Sequence, residues 1–393
     1  MKVLHRATTA TLAVAAILLA VPPLAAQVPR NDAERQAFFD GIHAPNWIGT
    51  DILHTSIKSQ RGGTCWAFST ISFLESEVLR TNDAVREALA AKKQELDLSE
   101  YYVVYWNWVE KTREYISRQG KGFHDRGPGV PLGGGGLSHD VIRIVREYGI
   151  VPESAYTVPE NSGAMTREIL AVLQDHRDRG DWDVDKAISR VRKVLDRHLA
   201  PPPTSITVDG KRMTPIQYAT DYLRLELDNY WEITSYTSFP FYTRGEVDIP
   251  DNWWDYDGYY NIPLDAFLRT LNHALDSGYS VAIDTDWADM GAAWNQAGIA
   301  VIHPGRSSGL LISQASRQAD LEEGRTEDDH LVHAVDHRVI DGHDWYLIKN
   351  SHGTGSGRRG YVWMRGDWVA LRVIGIMLHK DALEPQLLAR FNN

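Results

Sequence analysis

A chain of 393 residues, 43% of them hydrophobic, is long enough for one large domain or two lobes and can bury a sizeable core. A formal net charge of −11 argues against nucleic acid and against an anionic membrane surface as partners. The single cysteine, Cys65, permits no disulfide within the chain.

The first 26 residues read as a secretory signal peptide. Lys2, His5 and Arg6 give a basic start, and an apolar run from Ala10 to Val21 is too short to span a bilayer. Pro22-Pro23 ends it, and Leu24-Ala25-Ala26 before Gln27 forms a cleavage site. The expectation is an exported protein, periplasmic or secreted, with no membrane anchor. Export normally invites disulfides. A lone thiol in an oxidising compartment needs another purpose, and catalysis is the obvious one.

Residues 27–160 read as a helical lobe. Trp47 to Ile57 is an extended lead-in to Cys65, after which Ala67, Ile71, Leu74 and Val78 fall at helical spacing up to about Arg80. A thiol at a helix N-terminus faces the positive end of the peptide dipoles, which favours thiolate. Further helices are predicted from Asp83 to Glu95, from Ser99 as cap through Trp108, and from Val141 to Tyr148 with Ser138 as cap. Between the last two, Gly127 to Gly136 is glycine-rich. No Lys-Ser or Lys-Thr follows it, so it reads as backbone laid open to an extended ligand rather than as a phosphate cradle. Residues 161–235 carry charged amphipathic helices, including Ile188 to Leu199, broken by Pro201-Pro202-Pro203, and read as a solvated helical insertion.

Residues 236–393 read as a β-rich lobe. A helix is predicted from Pro263 to Ser277, and strands from Ser280 to Asp284, Leu331 to Ile340, Trp345 to Lys349 and Gly360 to Met364. A helical first part and a β-rich last part make an α+β plan of two lobes.

Three chemical constellations compete. His333 and His337 would pair on zinc if helical, but their segment reads as strand, so no metal is expected. Gly355, Gly357 and Gly360 match a dinucleotide fingerprint, yet a strand follows instead of a helix, so no cofactor is expected. The third is Cys65, His330 and Asn350. His330 begins one strand and Asn350 ends the next, so a hairpin would bring them together. A histidine to take the thiol proton and an amide oxygen to hold the ring is what a thiolate–imidazolium pair needs.

At these residues the chain resembles the papain-like cysteine peptidases. Gln60 to Ser69 resembles the family's catalytic-cysteine segment. Gly135-Gly136 with the following helix and Tyr148-Gly149-Ile150 resembles its cleft-lining loop. Asp329-His330 and Leu347-Ile348-Lys349-Asn350 resemble its histidine and asparagine segments. Gly63-Thr64-Cys65-Trp66, Glu147-Tyr148-Gly149-Ile150-Val151-Pro152-Glu153 and Pro250-Asp251-Asn252-Trp253 are similar to the bacterial branch of bleomycin hydrolase and aminopeptidase C.

The resemblance implies a two-lobe fold with the site in the cleft, and hydrolysis of peptide or protein substrates through a thioester acyl-enzyme. It implies Cys65 as nucleophile, His330 as base and then acid, Asn350 as orienting amide and Gln60 as oxyanion donor. Gly135, Gly136 and Trp66 would meet the substrate. In that branch the C-terminus can occupy the cleft and enforce aminopeptidase action, and the tail after Asp381 is the candidate here. The chain departs from the family pattern at Gln60, five residues before the cysteine instead of six, and at His352, where a Trp usually stands. His333 is the alternative base, being followed by Ala334-Val335. Amide hydrolysis or acyl transfer with the same triad, and a catalytically impaired binding protein of this fold, are the rival functions.

Overall fold

The N-terminal lobe is built on α1 (Cys65–Thr81), which is buried continuously from Cys65 to Val78. A helix enclosed on all sides must pack on two partners, and α1 lies between its own lobe and a sheet. Around it stand α2 (Asp83–Lys92), α3 (Glu100–Ser117) and α4 (Ser138–Tyr148). Ser99 caps α3 by accepting from the Tyr102 N–H. Ser138 does not cap α4. The cap position is Leu137, whose N–H donates to the Asp140 carboxylate at 2.9 Å, and Ser138 instead accepts from Thr70 on α1. The computed structural model describes residues 37, 39–124, 129–157, 162–287, 298–302 and 312–391. The signal-peptide reading, the first part of the glycine-rich stretch and Asn393 lie outside them.

The middle block is not a solvated insertion. Its helices α5 (Ser162–Arg179) and α6 (Val184–Leu199) send Met165, Ile169, Leu173, Val191 and Leu195 into the core of the N-terminal lobe, with α6 packed on α3. The charges that suggested solvation occupy only the outer faces. A small hairpin of β1 (Ile206–Val208) and β2 (Lys211–Met213) follows.

The second lobe is a nine-stranded sheet. In chain order its elements are β3 (Tyr230–Thr234), β4 (Arg244–Gly245), β5 (Tyr259–Asn261), α7 (Leu264–Asp276), β6 (Val281–Thr285), β7 (Ile299–Ala300) and α8 (Gln314–Glu322). Then come β8 (His330–Ile340), β9 (His343–Lys349), β10 (Tyr361–Arg365), α9 (Gly366–Arg372), β11 (Val373–His379) and α10 (Pro385–Phe391). The strand order is β4-β5-β3-β11-β6-β8-β9-β10-β7. Asp341 and Gly342, both at positive φ, make the two-residue turn that closes the β8–β9 hairpin. Gly355 to Gly360 is a turn between β9 and β10, as its sequence context suggests. The α+β two-lobe plan is therefore what the chain adopts.

The tail after Asp381 packs on the face of the sheet away from α1. Leu387 is buried in that core, and Phe391 packs against Trp231 and Tyr260. The described part of the tail therefore does not fill the cleft.

A polar network fastens the lobes. Glu75, fully buried on α1, accepts from Thr55 Oγ1 (2.5 Å), the Leu98 N–H (2.8 Å) and Lys58 Nζ (3.2 Å). Lys349 on β9 donates to Thr55 and to Ser72 of α1. Burial lowers the Lys349 ammonium to about 8, and the Glu75 charge opposes that fall. Removing one partner from such a network strands the others. Glu75→Ala should destabilise the chain by about 3–5 kcal/mol. Urea unfolding at neutral pH, read as a lowered midpoint, is the check; an unchanged midpoint would refute the fastening role.

Candidate active site

Strand alternation sends the two candidate histidines to opposite faces of β8. His333 points to α1, where its Nδ1 meets Ser72 Oγ at 2.9 Å. His330 lies at the strand's start, and its Nε2 is 2.8 Å from Asn350 Oδ1. That bond leaves Nδ1 as the ring nitrogen for proton exchange. The Asn350 carboxamide is itself held, since its Oδ1 also accepts the Ser351 N–H at 2.8 Å. Asn350 is thus the partner of His330 and not of His333.

Cys65 reaches the same region because its loop is stitched to the asparagine segment. Ser59 pairs with His352 as an antiparallel bridge, Gln60 N donates to Ser351 O (2.7 Å), and Gly353 N donates to Lys58 O (3.1 Å). The α1 helix packs on β8, and the backbone of Leu331, next to His330, acts to lower the proton affinity of the thiol. Among the described residues, Cys65 and His330 do not hydrogen-bond to one another.

No family model matches the chain. Curated relatives do. It is 23% identical over 382 residues to aminopeptidase G of Lactobacillus delbrueckii subsp. lactis, covering 86% of this chain and 83% of that protein. It is 23% identical over 374 residues to aminopeptidase C of Lactobacillus helveticus, covering 84% and 80%. The crystal structure of PepW from Lactobacillus rhamnosis HN001 superposes with a TM-score of 0.67 at 18% identity, over 91% of this chain and 86% of that one. The chain is similar to these aminopeptidases over 84–86% of its length. The resemblance seen in its motifs is borne out, and so is the papain-like fold.

The glycine loop lies against the cysteine segment at Gly63 and Trp66 and is braced from beneath. Trp66 is fully buried and donates from its indole Nε1 to Gly134 O at 3.0 Å. Expected to meet substrate, it supports the loop instead. Lys111 donates to the carbonyls of Gly133 and Gly135. Gly136 is enclosed, since a Cβ there would come within 2.6 Å of Asp140 and 3.0 Å of the Trp66 ring. Gly135 is half-buried, and its missing side chain makes room for the Asp251 carboxylate.

Gln60 is held at both ends of its amide. Oε1 accepts from Ser351 Oγ, and Nε2 donates to Gly62 O at 2.9 Å. One Nε2 hydrogen remains for an oxyanion.

Aromatic cover over His330 comes from two residues. His352 stacks on it at 4.7 Å between centroids, and Trp287 lies tilted at 5.2 Å. Asp329 fixes Trp287 by accepting its backbone N–H at 2.6 Å. Sequence reasoning missed Trp287. It reaches the site only because β6 pairs with β8, placing Thr285 opposite His330. His337 is held away from the site, between Asp276 and Asp344. Among the described residues no cluster could hold a metal ion.

Burial disfavours the charged form of both the thiol and the ring. Burial pushes the Cys65 thiol up to about 12, and the Asp251 and Asp284 charges push the same way. Burial lowers His330 to about 4, against the Asn350 hydrogen bond that raises it. Desolvation penalises each charged form more than the helix terminus and the amide reward it. In the resting chain, iodoacetamide alkylation of Cys65 should be slow at pH 7 and rise about tenfold per pH unit through pH 8–10. As this is the sole thiol, the denatured chain serves as control, titrating near ~8.5. A rate that already plateaus below pH 8 would contradict the burial argument.

Proposed function

We propose that the chain is a cysteine-type peptidase in which Cys65, His330 and Asn350 form the catalytic triad. The observation that carries this reading is the His330–Asn350 hydrogen bond, formed on the strand that packs against the helix opening with the sole cysteine. The similarity to aminopeptidases supports peptide substrates, with residues released from an N-terminus.

The steps follow from the geometry. Neutral His330 takes the thiol proton at Nδ1 as Sγ attacks the scissile carbonyl carbon. The developing oxyanion is met by the Cys65 N–H, one of the unpaired donors of the first turn of α1, and by the remaining Nε2 hydrogen of Gln60. The protonated ring gives its proton to the departing amine, and the C–N bond breaks to leave a thioester on Cys65. A water then yields its proton to His330 and attacks the thioester. The acid product leaves and the thiol is restored. Asn350 keeps the ring in the right tautomer throughout. The basic, apolar start of the sequence, residues 1–26, is the basis for proposing export.

Cys65→Ala should abolish hydrolysis of fluorogenic aminoacyl and peptide substrates; retained turnover would sink the triad. Asn350→Ala should lower kcat about 100-fold or more while the chain stays folded. The base must be neutral, and its proton affinity is depressed to about 4. The acid limb of kcat/KM should therefore lie near pH 4, with activity lost as pH falls through it, and not near the ordinary histidine value of about 6.5.

One observation favours a catalytically impaired binding protein: the carbonyl of Gly62 already occupies one Gln60 donor. That reading requires no covalent labelling of Cys65 by an active-site-directed epoxide.

A further inference from the structure

Asp284 is the residue of the cleft that the mechanism leaves unexplained. It lies on β6 opposite Leu331, one position from His330. Its strand neighbours Val281 and Ile283 belong to the core beyond the sheet, whereas Ala282 faces the interlobe core around α1. Alternation therefore turns Asp284 toward the lobe that carries Cys65. It is 7% exposed, and neither carboxyl oxygen has a hydrogen-bond partner among the described residues. A buried polar group left unpartnered costs about 1–3 kcal/mol, more when charged, so such a group calls for an explanation.

Its neighbours are anionic. Asp251, seated against Gly135, and Asp328, whose Oδ2 accepts the Asp251 N–H at 2.7 Å, both act on Asp284. Burial first, then Asp328, Asp251, Glu232 and Asp329, hold its carboxyl well above the usual range. Asp251, Asp328 and Asp329 also line an open cavity of about 510 Å³. The Tyr236 hydroxyl, which feels the Asp284 charge, is likewise buried without a partner. Of these carboxylates, Asp251 and Asp284 act on the Cys65 thiol.

We infer that Asp284, with Asp251 and Asp328, forms a cation pocket beside Cys65 that takes an ammonium group of the substrate. The inference rests on the peptidase reading, and it names what that site selects. Two sources share this chemistry: the free α-ammonium of a peptide N-terminus, and the side chain of a lysine preceding the scissile bond. A cation would partner the orphaned carboxyl and offset the mutual repulsion of the acids. Cys65 and Asp284 are each 7% exposed.

Binding is measured by calorimetry in a Cys65→Ala background, which needs no turnover. Leucinamide supplies the α-ammonium, N-acetyl-lysyl-leucinamide the side-chain ammonium, and N-acetyl-leucinamide neither. Cys65→Ala should bind one of the cationic probes at least about tenfold more tightly than the neutral one, and adding Asp284→Asn should remove that difference. Whichever cationic probe wins names the source. Equal binding of all three, or a preference that survives Asp284→Asn, overturns the pocket. Asp251→Asn in the same background provides the same reading if Asp284→Asn fails to fold. Hydrolysis of leucinamide and of blocked peptides by the unaltered chain tests the peptidase reading separately. A chain that binds the ammonium but does not hydrolyse would keep the pocket and lose the enzyme.

Discussion

The site depends on a short piece of antiparallel pairing between Lys58–Gln60 and Ser351–Gly353. A nucleophile on one lobe and its base on another must be held within a fraction of an ångström to act together. Side-chain bonds alone give little of that precision, because each flexible partner must be ordered separately. Backbone pairing orders both loops at once. It seats the loop before α1 against the strand end carrying Asn350, and the amide of Gln60 falls beside Ser351 as a result. The buried Glu75–Lys58–Thr55–Lys349 network lies directly behind this seam and keeps it from sliding.

Much of this was legible in the sequence. The β8–β9 hairpin could be read from two apolar runs around Asp341-Gly342, and the hairpin alone brings His330 to Asn350. Cys65 at a helix start could be read from helical spacing after it. What escaped depends on sheet order. Trp287 and Asp284 reach His330 and Cys65 through β6 pairing with β8, strands separated by more than forty positions, and no local pattern encodes that neighbour relation. The middle block misled because its helices carry many charges on their outer faces. A narrow stripe is enough to join a core when a helix such as α3 offers a matching face. Trp66 was expected to meet substrate from the resemblance alone, whereas its N–H is donated to the glycine loop.

Charge state escaped for a different reason. Residue order shows which groups meet but not how dry the meeting place is. Cys65 and His330 sit in a cleft tight enough that desolvation outweighs the helix terminus on one and the carboxamide on the other. At the thiol, Asp251 and Asp284 add to this. Positive charge bound there would favour the thiolate while disfavouring a charged ring.

The burial of Cys65 has a consequence for its chemical lifetime. Peroxides oxidise the thiolate, and the ladder from sulfenic to sulfonic acid begins only where that anion is present and reachable. A thiol held neutral on the floor of a narrow cleft meets neither condition while the site is empty. With no second cysteine in the chain there is also no internal partner to capture it as a disulfide. Burial thus doubles as a preservative for the one sulfhydryl of the chain.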